Sequence, residues 1–479
     1  VAIQSCIDAV LHHRVRLARS APRRSRPSTE VIFANDYVID RPIRLGMTLA
    51  QARVETEVPF TGDEYPFHPI GVSIRGLCGP ATRRNGAALL QASRDFRPED
   101  LPPATAADPH PVLFGDSWSL MIVRTFAPVS IDNVVFDANG YTKRCLTIMT
   151  FGSTHHHVLE GCTFKNAVHA QLYIGGEVPT VVRTDRPEGD IIDVRARYYS
   201  GGQDLGDMRV TRCHFETGGG EGERLSRPQF RKLDPQGGKW RHGVVYRAEP
   251  ALGTEFHGCV FRGQGSPMFL AVGGRLSFQD CAFDTDEVEG NPRPSTRIRP
   301  AETDLRWWNG TDIHLAAGFA EYLWRRGVEP SPDNLQPIAG AMLTARNVTS
   351  CSRQFLSTHP DIERIWTTST PTFASVTLLH VRHRSRFTGV GEARRPAIYW
   401  GAPRLVNCAL VMEGCAFNTP PLPIDSAYGA NPRGGVFIAA LSTESDPAPV
   451  VVLATRRSGD TPVLCSTADV IPNVMMIPE

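Results

Sequence analysis

The side chains best equipped to move protons or hold a developing negative charge gather around a few short segments. Asp137 stands in Phe136-Asp137-Ala138-Asn139-Gly140, and His169 and Tyr173 lie four residues apart around Leu172 and Ile174. Arg241-His242-Gly243 leads into Val244-Val245-Tyr246, with Arg247 and Glu249 just beyond. A carboxylate or imidazole in such a set can act as general acid or base, with tyrosine or histidine as the alternative base. An arginine can clamp a carboxylate. Two bond-breaking schemes fit these types. One uses two carboxyl groups about 5–10 Å apart, one protonated and one ionised; the other uses a base and a cation to drive elimination. Each residue also has a plainer use: Asp137 suits a turn, and the Asp190/Asp193 pair among arginines suits solvated ion pairs. Trp307, Trp308, Tyr399 and Trp400 can stack on a flat ligand or pack beneath loops.

Other chemistries find no footing. The chain has no GxxxxGK[ST], no GxGxxG in a strand-helix-strand setting, no HExxH and no GxSxG. Lys+Arg 51 against Asp+Glu 50 over 479 residues gives a net charge of +1, which argues against a nucleic-acid partner. No apolar run reaches the roughly 20 residues of a membrane span. The 11 cysteines form no CxxC pair and no zinc-like spacing, so small buried apolar residues are their expected role. In His155-His156-His157 at most the first and last can converge on one ion, and no metal site is expected there. The chain opens at Val1 without a charged-then-apolar leader, as expected if a leader has been removed or a precursor extends upstream. The expected location is extracellular or surface-associated.

What must position these residues emerges from the cysteines. Cys162-Thr163-Phe164, Cys213-His214-Phe215, Cys259-Val260-Phe261, Cys281-Ala282-Phe283 and Cys415-Ala416-Phe417 share a Cys-x-Phe pattern, and Val134-Val135-Phe136 repeats it with Val in the first place. In an extended chain the first and third residues of each triplet face one way and the variable middle residue the other. The pattern recurs on a unit of roughly 22–23 residues, the period of a solenoid. A second short apolar strand follows in most units, as in Leu146–Met149, Leu172–Ile174, Val244–Tyr246, Met268–Val272, Ala397–Trp400 and Val436–Ala439. The leucine ladder of leucine-rich repeats is missing, and the unit is too short for a propeller blade. Gly 42 and Pro 38 point to many turns and few long helices. A parallel β-helix is what remains.

On these residues the chain resembles the right-handed parallel β-helix proteins of the pectate-lyase-like superfamily. Ala2–Val10 resembles the short helix that plugs one end of such solenoids. Thr29–Phe33 and Tyr37–Ile43 resemble the first strands, with Ala34-Asn35-Asp36 at the turn, and Gly71–Gly76 resembles the first full coil. Arg241-His242-Gly243 is similar to the His-Gly dipeptide of polygalacturonase-type hydrolases, whose Asn-Thr-Asp, Asp-Asp and Arg-Ile-Lys motifs are absent here. The resemblance is one of fold, and this fold carries lyases, hydrolases, epimerases and inert adhesins.

The expectation is therefore an all-β chain, a single elongated β-helix over residues 1–479. Residues 1–15 form the cap helix, 29–440 the coils and 441–479 a less regular C-terminal cap. Insertions are expected at 77–120, 177–206, 218–242 and 286–340, the last with a helix-like stretch from Ile313 to Arg326. If the insertions share one side, they wall a groove across the coils near 150–270. The resemblance implies a polysaccharide substrate, cleaved by a hydrolase or lyase. Asp137, His169, Tyr173, Arg241, His242 and Glu249 are the catalytic candidates, and Tyr246, Arg247, Trp307 and Trp308 the substrate contacts. No cofactor is expected beyond a Ca2+ ion in the lyase branch. The other expectation is a catalytically silent structural, adhesive or virion-associated β-helix, assembled as a homotrimer.

Overall fold

A computed structural model describes residues 3–9, 29–46, 72–77, 86–98, 118–124, 129–149, 157–175, 208–218, 241–247, 253–265, 267–272, 275–286, 310–316, 342–358, 375–386, 397–402, 409–418, 436–440, 451–455, 463–465 and 473–477. The chain divides into two compact units, Val1–Gly237 and Gly238–Glu479. Each is built as a right-handed parallel β-helix. Up to Val436–Ala440 each coil contributes one strand to each of three parallel sheets, one strand more than the sequence pattern reveals, and the described strands beyond it join the first and third sheets alone. In the first unit one such coil is Val158–Glu160, Thr163–Lys165 and Ala170–Gly175. In the second unit one is Arg275–Gln279, Ala282–Asp286 and Thr311–Ala316.

From Val129–Asp132 onward the corner between first and second sheets turns on a single residue in the left-handed region: Asn133, Gly161 and Arg212 in the first unit. In the second unit it is Gly258, Asp280, Asn347, His380 and Gly414. One residue at positive φ turns the chain sharply enough to begin the next strand at once, and Gly, Asn and Asp tolerate that conformation best. The repeated cysteine comes immediately after this corner, and its thiol faces carbonyls that the turn leaves behind. Cys162 Sγ lies 3.4 Å from Glu160 O and 3.5 Å from Ile131 O, and Cys281 Sγ lies 3.3 Å from both Gln279 O and Phe256 O. A small apolar side chain with a weak S–H donor suits that place. Val348 and Val381 fill the same place in two coils that lack the Cys-x-Phe signature, and both are fully buried. Burial holds the Cys145 and Cys415 thiols above their ordinary range.

Three residues after the corner come the phenylalanines, which lie over one another in register. Phe164 pairs with Phe136 on one side and Phe215 on the other. Its ring stacks on both, at centroid distances of 5.1 and 5.2 Å and interplanar angles of 5° and 9°. In the second unit Phe261 stacks on Phe283 at 4.4 Å. The middle residues of the triplets face outward, as alternation requires: His214 is exposed and Thr163 and Ala282 are partly so.

Helix 3–9 caps the first unit. Ile7 is fully buried, and the Gln4 amide behaves as one more peptide group for the edge strand Ile43–Gly46. It accepts from Arg44 N at 2.7 Å and donates to Arg44 O at 3.0 Å.

Three expectations change. The 77–120 segment carries a coil strand, Ala88–Ala92, and Ser119 opens another, because the alternating Ala88, Leu90 and Ala92 bury one face of that stretch. Ile313 and Leu315 lie in the strand Thr311–Ala316, where a helix was expected to begin; their alternating burial serves the core, and 317–326 lies outside the described residues. Residues 441–479 add the parallel strands Val451–Thr455, Val463–Cys465 and Asn473–Ile477 to the coils.

Because Phe164 is stacked on both sides, Phe164→Ala should cost about 3–5 kcal/mol in denaturant unfolding. Thr163→Ala, on the outer face of the same strand, should cost less than about 1 kcal/mol.

Candidate functional site

The outer face of the first sheet in the first unit is a set of straight columns, because parallel strands in register repeat every side chain at the strand spacing. One column runs Ile32, Arg75, Asp132, Glu160, Thr211. Its neighbour runs Glu30, Ser73, Ser130, Val158. Asp132 and Glu160 each stand just before a corner residue, Asn133 and Gly161, so the corner fixes where both strands end. The pair is thus held by backbone register, about 4.8 Å apart at the main chain.

Arginines bracket the carboxylates. Arg75 Nε lies 3.1 Å from Glu30 Oε1 and 3.6 Å from Asp132 Oδ2, and Arg212 pairs with Glu160. Asp132 and Glu160 keep 39% and 41% of their side-chain surface, enough to meet a ligand. Partial burial, and then the Glu160 carboxylate beside it, raise the Asp132 pKa above its ordinary value; Arg75 and Arg212 pull the other way. The arrangement is two neighbouring carboxyl groups, one biased toward keeping its proton.

The residues singled out from sequence are placed as follows. Asp137 is buried at the end of Val134–Asp137. Its Oδ1 accepts from Asn139 N at 2.9 Å and from Asn166 Nδ2 at 2.8 Å. Its Oδ2 accepts from Gln91 Nε2 at 3.2 Å and lies 3.5 Å from Lys165 Nζ. The carboxylate thus ties three coils together at a turn. His169 is half-buried, its N–H donating to Lys143 O at 2.9 Å. Tyr173 alternates with Leu172 and Ile174, yet it is buried, with the Arg144 guanidinium 3.5 Å from its ring centroid. His169 and Tyr173 thus lie on one coil, without open exposure for the phenol.

In the second unit, His242 is buried at the start of His242–Arg247 with Nδ1 2.6 Å from Pro267 O. Arg241 precedes it, partly buried. Tyr246 is in the core against Phe269, and its hydroxyl accepts from Thr254 Oγ1 at 3.3 Å. Arg247 closes the strand. Glu249, Trp307 and Trp308 lie outside the described residues, as do Asp190 and Asp193 and most of the expected groove walls. His157 Nδ1 accepts from Val129 N at 3.1 Å. Among the described residues no three His, Cys, Asp or Glu side chains gather as a metal site would need.

Asp132 and Glu160 were not singled out from sequence. The signal was there: both stand two residues before the repeat's Val or Cys, at Val134 and Cys162, so aligning the coils on that position superposes them.

No family model, curated protein or solved structure matches the chain.

Two outcomes follow. Asp137→Ala should destabilise the first unit by about 2–3 kcal/mol in denaturant unfolding, because it strands several buried donors. Glu160→Gln should bring the Asp132 titration down toward its ordinary value, as followed by carboxyl NMR, since it removes the neighbouring negative charge.

Proposed function

We propose that the chain is a carbohydrate-active enzyme of the pectate-lyase-like kind that hydrolyses a polysaccharide across the outer face of its first sheet. The observation that carries this reading is the register pairing of Asp132 with Glu160, with the Asp132 carboxyl held above its ordinary pKa by partial burial and then by the Glu160 charge. A flat column face with hydroxyls at Ser73 and Ser130 beside the carboxylates suits an extended sugar chain. In this reading Asp132 gives its proton to the glycosidic oxygen as that bond breaks. Glu160 attacks the anomeric carbon, and the two form a glycosyl ester. Water, deprotonated by Asp132, then releases the sugar and restores both groups. Carboxyl groups about 5–5.5 Å apart belong to retaining hydrolases, and main chains one strand spacing apart let the two side chains adopt that separation, so in this reading the product should keep its anomeric configuration. Arg75 and Arg212 hold the carboxylates in place and can meet acidic groups on the polymer.

The second reading, a catalytically silent structural or adhesive β-helix, draws on one observation: both carboxylates already have arginine partners.

A panel of neutral and uronic-acid polysaccharides separates the two. Hydrolysis predicts new reducing ends from at least one polymer, lost by about 10²-fold or more in Asp132→Asn and Glu160→Gln while the fold is kept. Unsaturated products in place of hydrolysed ones would move the chemistry to elimination, and no product from any polymer would favour the silent scaffold.

A further inference from the structure

The phenylalanine column of the second unit is interrupted for two coils, and its replacement is polar. Ser350 pairs in register with Phe283, His383 follows it, and Phe417 resumes the column. Asp312 joins them. It directly precedes Ile313, a corner place that Met268, Phe355 and Ala397 fill in neighbouring coils, and it is fully buried. Asp312 belongs to the coil of Phe283, Ser350 to the next and His383 to the one after, so the three run along the solenoid axis. Ser350 Oγ is hydrogen-bonded to Asp312 Oδ2 and lies 2.7 Å from His383 Nδ1. Ser350 and His383 are 4% and 2% exposed.

One hydroxyl hydrogen cannot serve two acceptors, and two net-neutral charge states satisfy that rule. In one, a protonated Asp312 donates to Ser350, which donates to an unprotonated Nδ1 of neutral His383. In the other, His383 is an imidazolium that donates to Ser350, which donates to an Asp312 carboxylate. Among the described residues, Asp312 Oδ1 and His383 Nε2 have no hydrogen-bond partner. A buried charge with an unpartnered atom costs far more than a neutral group in the same position, which favours the first arrangement.

The surroundings agree. Burial raises Asp312 to about 7 against the hydroxyls of Ser350, Thr285 and Ser352, and Asp284 raises it further. Burial lowers His383 to about 3. Asp284 and Asp286 are engaged by Arg386 outside the core, and Arg382 and Arg384 are exposed on the His383 strand. His314 is buried two residues beyond Asp312 on its strand, and Phe355 and Phe417 pack against the His383 ring.

We propose that Asp312, Ser350 and His383 share a single proton, which folding transfers from the His383 imidazole to the Asp312 carboxyl. The unfolded pair between about pH 4 and 6.5 is carboxylate plus imidazolium. The folded pair is carboxylic acid plus neutral imidazole. The N–H bond at Nδ1 is lost, an O–H bond at Oδ2 is gained, and the pair is net neutral on both sides. The device lets a polar core segment fold without net proton uptake or release across the mildly acidic range.

Removing one partner uncovers the other. In Asp312→Asn, folding must strip a proton from His383, whose folded pKa is depressed, so stability falls as pH falls from 6.5. In His383→Gln, folding must protonate Asp312, whose folded pKa is raised, so stability is lost as pH rises from about 4 to 7. Denaturant unfolding of the full chain between about pH 4.5 and 6 should therefore show folding constants that change up to tenfold per pH unit relative to wild type. The two variants should have opposite signs, and the double variant should track wild type. Slopes of one sign, or no change in either single variant, would overturn the proposal. Should a variant not fold, the wild-type infrared spectrum decides at about pH 5.5, above the ordinary carboxyl range. A protonated-carboxyl carbonyl band from the folded protein that persists in Asp132→Asn and is lost on unfolding supports the shared proton; its absence overturns it.

Discussion

Everything in this molecule depends on register between parallel strands. When each coil repeats the last at the strand spacing, a side chain meets its counterpart and little else on that face, so a column must be self-compatible. Phenylalanine is, since rings offset by one rung stack with nearly parallel planes, as Phe136, Phe164 and Phe215 do. The corner cysteines are as well, because each thiol is spent on carbonyls of its own turn and of the preceding coil. The same rule acts on the outside, where it cannot keep like charges apart. Asp132 and Glu160 meet because their strands do, and partial burial, then the Glu160 charge that register brings beside it, hold the Asp132 carboxyl above its ordinary pKa.

That link between fold and chemistry explains why the polar side chains divide into two kinds. Some, such as Asp137 and Gln4, satisfy main-chain or neighbouring polar groups and close turns or edges. Others are held in columns by the backbone, with free surface remaining. The arginines at 75 and 212 temper the repulsion between the columnar carboxylates without burying them. Within the core of the second unit, register brings Asp312, Ser350 and His383 into line, and a shared proton is the low-cost way to keep that segment uncharged.

The sequence makes the repeat legible where residues are distinctive. Cys-x-Phe identified the corner and inward column in five coils, and the apolar strands of the third sheet were visible as short runs. Two coils escaped because Val348 and Val381 stand for cysteine, and Ser350 and His383 for phenylalanine. The first-sheet strand of most coils escaped because three to five residues, half of them polar and outward, have no composition of their own. Ile313 to Arg326 resembled a helix because apolar residues in a short window satisfy either period. Asp137, His242 and Tyr246 drew notice by chemical type, whereas type says nothing about which side of a thin wall a residue faces. Asp132 and Glu160 required the opposite reading, in which position relative to the corner matters more than the residue itself.

The most direct test of the account replaces the two carboxylates by cysteines. Cα atoms one strand spacing apart fall within the 4.4–6.8 Å range that a disulfide can bridge. In a background where Cys6, Cys78, Cys351, Cys408, Cys415 and Cys465 are serine, Asp132→Cys with Glu160→Cys should oxidise readily to an intramolecular disulfide. The diagonal pair Ser130→Cys with Glu160→Cys should oxidise far more slowly. Equal rates for the two pairs, or a faster diagonal pair, would mean that the strands are not in the register on which both the fold and the site are built.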